Sequence, residues 1–302
     1  MEDTTRAYPG TGTVSSSAKP SAEGEVSVEP VAEPDVDRDR LPARAPAAVS
    51  VPAGAKVSVA VLDVESGESA AQGDDAFDTA SIVKVDILAT LLLQAQDAGR
   101  HLTAAEKTCA TAMIRHSDNA SASALWRIIG KAEGLDAANE RLGLADTAGG
   151  NDMLWGLTRT TAADQLTLLQ QVFGDDSELS GASRTYLQDL MQQIAPGQHW
   201  GVSAAADGSA WALKNGWLPR STTGLWDVNS IGRVTAGGRD CLVAVLSNGN
   251  ATQATGIALV EAAARAAVAE FTGGRTAASA SGRGLSGGSS PACVDRSRDQ
   301  CT

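Results

Sequence analysis

Histidine is scarce in this 302-residue chain, with only His101, His116 and His199, and aromatic residues make up just 4%. The shortage of histidine, and the lack of any C-x₂-C spacing, leaves little material for a zinc site or a His-based triad. We therefore expect no metal and no cofactor. Cysteine is also sparse: Cys109, Cys241, Cys293 and Cys301. The first two lie in segments that read as helix and strand, where a free thiol behaves as a small hydrophobe. The last pair could close a small loop in an oxidising compartment. Positive charge is in deficit, the net charge being −12. That argues against nucleic acid and anionic membrane surfaces as partners, although one local lysine can still dominate a cleft. Long apolar runs are absent too. The longest, around Ile87 to Leu93, is far too short to cross a bilayer. The opening Met1-Glu2-Asp3 is acidic and polar and does not read as a secretory leader.

The ends differ from the middle. Residues 1–53 are rich in Pro, Ala and Glu with no periodic apolar pattern, and residues 273–302 are rich in Gly and Ser. Neither buries enough apolar surface to offset its ordering entropy, so both are expected to be disordered tails. The roughly 220 residues between them suffice for one enzyme of two lobes, and no internal repeat is apparent.

Within that core, Ala55–Asp63 alternates and is rich in β-branched residues, which predicts a strand, with a turn at Ser66-Gly67-Glu68 into a second. Helical periods then fill 83–98, 104–114, 120–129, 132–142, 160–172 and 180–193. Strand-like runs return at 199–204, 209–214, 225–234 and 241–247, and an Ala-rich helix over 252–271 closes the core. Strands at both ends around a helical middle predict an α+β fold. An α/β lobe (54–82 and 196–272) would stand beside an all-helical lobe (83–195).

Three short motifs occur in order: Ser81-Ile82-Val83-Lys84, Ser117-Asp118-Asn119 and Lys214-Asn215-Gly216. Each has a bland reading. Ser81 could cap a core helix, Ser117-Asp118-Asn119 is good N-cap material, and Lys-Asn-Gly after a strand usually makes a hairpin turn. A second Ser–Lys pair at Ser16 and Lys19 shows how weak the first motif is alone. What lifts Ser81 is the helix after it, which puts Ser81 Oγ and Lys84 Nζ on one face. Unpaired N–H groups at a helix start also favour a developing anion. The match of Gly284-Leu285-Ser286-Gly287-Gly288 to a nucleophile elbow is dismissed, since neither strand nor helix flanks it.

The joint order of S-x-x-K, S-D-N and a variant K-T-G resembles the class A β-lactamase and D-alanyl-D-alanine peptidase superfamily of serine hydrolases, over most of residues 54–272. Arg159-Thr160-Thr161 before a helix is similar to the exit of the class A omega loop. Trp217 after the third motif, and the later Trp226-Asp227-Val228-Asn229-Ser230-Ile231-Gly232, resemble an actinobacterial set of these hydrolases. The resemblance implies a five-stranded antiparallel sheet flanked by terminal helices beside a helical lobe, acting as a monomer on a small-molecule or peptidoglycan-peptide substrate. It also implies an extracytoplasmic location. By motif, Ser81 would be the nucleophile, Lys84 its base and Ser117 a proton relay to the leaving nitrogen. Asn119 would bind the substrate amide. Lys214 would hold a substrate carboxylate and help keep Lys84 neutral, with Asn215 and Gly216 beside it. The N–H groups of Ser81 and Trp217 would form the oxyanion hole.

Two departures shape the expected chemistry. Asn215 replaces the usual Thr or Ser. Between Leu144 and Thr161 there is no Glu to activate a deacylating water; Asp146 and Asp152 are the only carboxylates, and they suit loop or cap roles. The expectation is acylation by β-lactam or D-alanyl peptide-like substrates with slow deacylation. Asn215 and a Trp-rich rim (Trp155, Trp217, Trp226) suggest an esterase or amidase as the alternative. A catalytically silent envelope binding protein is the third reading.

Overall fold

A computed structural model describes residues 49–272. The expected terminal disorder, the Ser16–Lys19 pair, the elbow-like segment at 284–288 and the Cys293–Cys301 pair lie outside the described residues.

Five strands form one antiparallel sheet in the order β2-β1-β7-β6-β5: β1 Lys56–Asp63, β2 Ser69–Gln72, β5 Trp211–Pro219, β6 Trp226–Ala236 and β7 Arg239–Asn250. Two-residue strands β3 (Phe77–Asp78) and β4 (Arg159–Thr160) pair separately. Seven α-helices occur among the described residues: α1 Val83–Asp97, α2 Ala104–Arg115, α3 Asn119–Ile128, α4 Lys131–Leu142, α5 Ala162–Phe173, α6 Gly181–Gln192 and α7 Gln253–Thr272.

Local sequence explains the helix starts. Thr103 and Glu106 form a reciprocal capping box at α2, and Asp118, Thr161 and Ser180 each accept a backbone N–H at N3 of α3, α5 and α6. Glycines in the left-handed region, Gly130 and Gly143, bracket α4.

Two apolar cores lie on opposite faces of the sheet. One joins Ala60, Ala212, Ile231, Ala244 and Leu246 to the buried faces of α1 to α6. The other joins Val59, Val61, Leu213, Val243 and Val245 to Leu259, Val260, Ala264 and Val268 of α7. α1 is buried nearly all round, with twelve buried positions from Val83 to Ala95, so the helix carrying Lys84 is the central post of the helical half.

Three expectations need correction. The run at 199–204 is no strand. It is a turn of 3-10 helix, Gly201–Ala205, entered through Gly201 at φ +83°, a conformation that breaks an extended run. The helical segment 83–195 is not a separate lobe throughout, because α5 packs directly on β1, β6 and β7. The core also begins before residue 54, since Val49 is buried within the α7-side cluster.

Candidate active site

Ser81 lies in the 3-10 turn Ala80–Ile82 that leads into α1. Val83 and Lys84 open the α-helix, so Lys84 sits one turn beyond Ser81 on the same face. Ser117 lies in the short link between α2 and α3, and Lys214 lies on β5, the edge strand of the sheet. Non-glycine residues in the left-handed region flank the site: Ala80 at φ +48° and Ser117 at φ +56°. Each costs on the order of 1 kcal/mol, and packing on both sides holds them there.

The three motifs converge on two amines. Lys84 Nζ lies 2.7 Å from the Ser117 carbonyl oxygen, 2.7 Å from Asn119 Oδ1, 3.0 Å from Ser81 Oγ and 3.0 Å from Ser117 Oγ. Lys214 Nζ lies 2.7 Å from its neighbour's carbonyl oxygen, Asn215 O, and 3.1 Å from Ser117 Oγ. Ser117 Oγ therefore bridges the two lysines.

Hydrogen counting constrains the Lys84 amine. Its two shortest contacts go to pure acceptors, the Ser117 carbonyl and the Asn119 amide oxygen. A neutral amine has two N–H groups, so both are used there. Its lone pair then faces the hydroxyls of Ser81 and Ser117. Electrostatics agree. Lys84 is wholly buried, and burial pushes its ammonium down from 10.5 to about 7, with the Asp118 carboxylate opposing. Lys214 is also wholly buried; burial first, and the neighbouring Lys84 second, hold it well below its ordinary value. Asp118 stays anionic, kept low by hydrogen bonds from Ser121.

Gly216 explains how closely the sheet approaches the nucleophile. A Cβ there would lie 2.7 Å from Ser81 N, 2.8 Å from Thr79 O and 2.9 Å from Ile82 N. Only glycine lets the β5 backbone sit against the turn that carries Ser81.

The sequence-predicted residues thus separate into two groups. Ser81, Lys84, Ser117, Asn119 and Lys214 come together, and Gly216 and Trp217 continue β5 beside them. Asn215 does not join as a ligand. Its side chain points to the other face of β5, where Nδ2 donates to the carbonyls of Gln198 (2.8 Å) and Trp200 (3.1 Å) and Oδ1 accepts from Ser230 Oγ (2.6 Å). With 1% exposure, its amide is spent on fixing the strand. Lys214 is buried, and its amine reaches the site through its contact with Ser117 Oγ.

Two residues make contacts that the sequence did not foretell: Trp155, read there only as part of a Trp-rich rim, and Asn229, given no role. Trp155, in the 3-10 turn Trp155–Leu157, lays its ring 4.9 Å from Lys84 Nζ and donates from Nε1 to Ser123 Oγ. Asn229 on β6 donates to the carbonyls of Asp78 (2.9 Å) and Thr79 (3.1 Å) and accepts from Ser247 N–H. It ties the segment leading into Ser81 to the sheet. Both lie far in sequence from the groups they touch. The only local hint for Asn229 was an amide amid an apolar strand, where a buried polar group needs partners. Of the loop carboxylates, Asp152 pairs with Lys131 at 2.6 Å and Asp146 is exposed.

A family model described as "Beta-lactamase enzyme family" matches residues 99–271, more than half of the chain. The chain belongs to the beta-lactamase enzyme family. That match begins beyond Ser81 and Lys84, so membership rests on the remainder of the fold. Proteins of Mycobacterium tuberculosis and Mycobacterium bovis named "Putative lipoprotein LppW" are 28% identical over 198 residues, covering 63% of this chain and 63% of theirs. The chain thus spans under two thirds of the length of these curated relatives.

Solved structures share the fold. A PBP-A mutant described as an acyl-enzyme complex with penicillin G aligns with TM-score 0.65 at 22% identity, covering 76% of this chain and 94% of that one. The extended-spectrum beta-lactamase TLA-3 aligns with TM-score 0.65 at 17% identity, covering 72% and 94%. A class A beta-lactamase from Bacteroides cellulosilyticus aligns with TM-score 0.63 at 17% identity, covering 73% and 93%. The five-stranded antiparallel sheet with flanking helices is the β-lactamase architecture.

Proposed function

We propose that this protein is a serine acyl-transfer hydrolase that forms an acyl-enzyme at Ser81 and releases it slowly. The observation that carries the reading is the Lys84 amine, buried and 3.0 Å from both Ser81 Oγ and Ser117 Oγ, with its two N–H groups committed to carbonyl acceptors.

In this mechanism Ser81 Oγ attacks the substrate carbonyl carbon while its proton passes to the Lys84 lone pair. The oxyanion is met by the N–H groups of Ser81 and Trp217, each such donor contributing on the order of 10²–10³ in rate. As the tetrahedral species collapses, the bond to the leaving atom breaks. That atom takes the Ser117 proton, which Lys84 replaces across 3.0 Å. Asn119, held through Oδ1 by Lys84, turns its exposed amide toward the substrate. Lys214 acts through Ser117, donating a hydrogen bond to its Oγ and so holding the relay hydroxyl in place beside Lys84.

Deacylation needs a second base for water. Trp155 covers Lys84 from the loop side, and Asp152 is committed to Lys131. This supports an acyl-enzyme that accumulates. The PBP-A mutant trapped with penicillin G shows that a related fold can hold such an adduct, and the lipoprotein name of the mycobacterial relatives supports an extracytoplasmic location. β-Lactams are the natural probes, since a strained amide reacts whatever its leaving group carries. A catalytically silent binding protein would not need a buried, depressed lysine between two hydroxyls, which costs stability. We therefore favour the enzyme.

Intact-protein mass spectrometry with benzylpenicillin tests this. The expected result is one adduct per chain, lasting minutes or longer and absent in Ser81→Ala. No adduct with benzylpenicillin or with an activated ester would overturn it.

A further inference from the structure

We propose that Asp78 is a positioning residue for the acyl chain of the donor: by bridging Arg159 and Arg220, its carboxylate fixes the gap between the two walls of the cleft beside Ser81. This rests on Ser81 being the nucleophile, as argued above.

The cleft measures about 590 Å³ and lies between two short segments. One wall is the turn with Trp155 and Leu157, which continues through Thr158 into Arg159 on β4. The other is the end of β5 and the turn after it, with Leu218, Pro219 and Arg220. In the mechanism above, the leaving atom faces Ser117 and the oxyanion meets Trp217 N–H. The acyl substituent takes the remaining direction, between Trp155, whose ring lies over Lys84, and Leu218, which follows Trp217.

Asp78, three residues before Ser81, joins the walls. Its side chain is only 11% exposed. Oδ1 lies 3.3 Å from Arg159 Nη1, and Oδ2 pairs with Arg220 Nη1. The Asp78 backbone is itself fixed from two sides. It pairs with Arg159 across β3 and β4, and its carbonyl oxygen accepts from Asn229 Nδ2 at 2.9 Å. The carboxylate is therefore a fixed point from which both walls hang.

Nothing about this bridge needs to serve stability. Arg159 and Arg220 keep 50% and 33% of their side chains exposed, and ion pairs of that kind contribute little to folding. What the bridge supplies is position. Without the charge, two guanidinium groups converge on a neutral side chain, and their mutual repulsion parts the walls. Asp227 on β6 lies 3.5 Å from Arg220, but it ties that arginine to its own hairpin rather than across the cleft.

Benzylpenicillin and 6-aminopenicillanic acid share the lactam and the leaving group; the first carries a phenylacetyl chain that the second lacks. Second-order rates of Ser81 adduct formation are measured by intact mass for the parent, Asp78→Asn, Asp78→Glu and Arg220→Gln, with Ser81→Ala as control. Asp78→Asn is expected to lose about 10–100-fold with benzylpenicillin and less than about threefold with the chain-less amine. Arg220→Gln, at a more exposed position, should shift the ratio of the two rates the same way, and Asp78→Glu should restore part of it. A purely structural role lowers both rates together and leaves their ratio unmoved. An unchanged ratio in Asp78→Asn, or in Arg220→Gln where Asp78→Asn does not fold, would overturn the proposal. If neither lactam labels the parent, p-nitrophenyl acetate and p-nitrophenyl octanoate supply the same comparison of short and long chains. A Ser81 adduct with chain-independent losses overturns this claim alone. No Ser81-dependent reaction with any of the four overturns it together with the nucleophile assignment.

Discussion

The rate of acylation should titrate with the Lys84 amine. A free lysine with its ordinary value of 10.5 would be neutral in only about 3 molecules in 10,000 at pH 7, by the mass-action relation between pH and pKa. With burial bringing it to about 7, roughly half are neutral. Placement in this pocket therefore raises the competent base by about three orders of magnitude at neutral pH. Quenched-flow intact-mass measurements with benzylpenicillin between pH 5 and 9 should give a rate rising about tenfold per pH unit below the midpoint. It should level off above about pH 7 to 7.5. A rate still climbing tenfold per unit at pH 9 would mean that Lys84 remains charged. A profile flat from pH 5 would mean that it is not the base. Either result refutes the hydrogen-counting argument.

Other perturbations follow from the same geometry. Trp155→Leu removes a ring 4.9 Å from Lys84 Nζ that favours the charged form, so the midpoint of that profile should fall by about 0.5–1 pH unit. Gly216→Ala forces a Cβ to 2.7 Å from Ser81 N and should cut acylation by about 10²-fold or more, with the near-ultraviolet spectrum of the fold retained. Asn229→Ala strands two carbonyls and an N–H in the interior and should cost about 2–4 kcal/mol in urea unfolding. Lys84→Met should abolish acylation yet resist urea better at pH 6 by about 1–3 kcal/mol. The folded chain releases the lysine proton near pH 7 while the unfolded chain keeps it to 10.5, so the cost of burying the charge is complete below pH 7 and fades toward pH 10.5. The gap between the variant and the parent should accordingly narrow as pH rises.

Much of this site was legible because its parts are local. The helical period from Val83, the serine at its start and the cap at Asp118 each follow from a few adjacent residues, and the order of the three motifs added the rest. What was not legible depends on register and on the far side of the chain. Strand parity alone places Lys214 and Asn215 on opposite faces of β5, a signal that the motif comparison overrode. That Asn215 would face Ser230 needed the β5–β6 register, which the long connection between the strands leaves open in sequence. The run at 199–204 alternates like a strand but contains Gly201, whose positive φ turns the chain. Trp155 reaches Lys84 across 70 intervening positions through packing of the loop before α5 on the helical core, for which no local pattern exists.

A crystal structure of the benzylpenicillin adduct bears most directly on the central claim. It should show an ester from Ser81 Oγ to the opened lactam, the carbonyl oxygen between the N–H groups of Ser81 and Trp217, and Lys84 Nζ still within hydrogen-bond reach of that ester oxygen. Acylation of any other side chain, or a carbonyl oxygen directed away from both N–H groups, would contradict it.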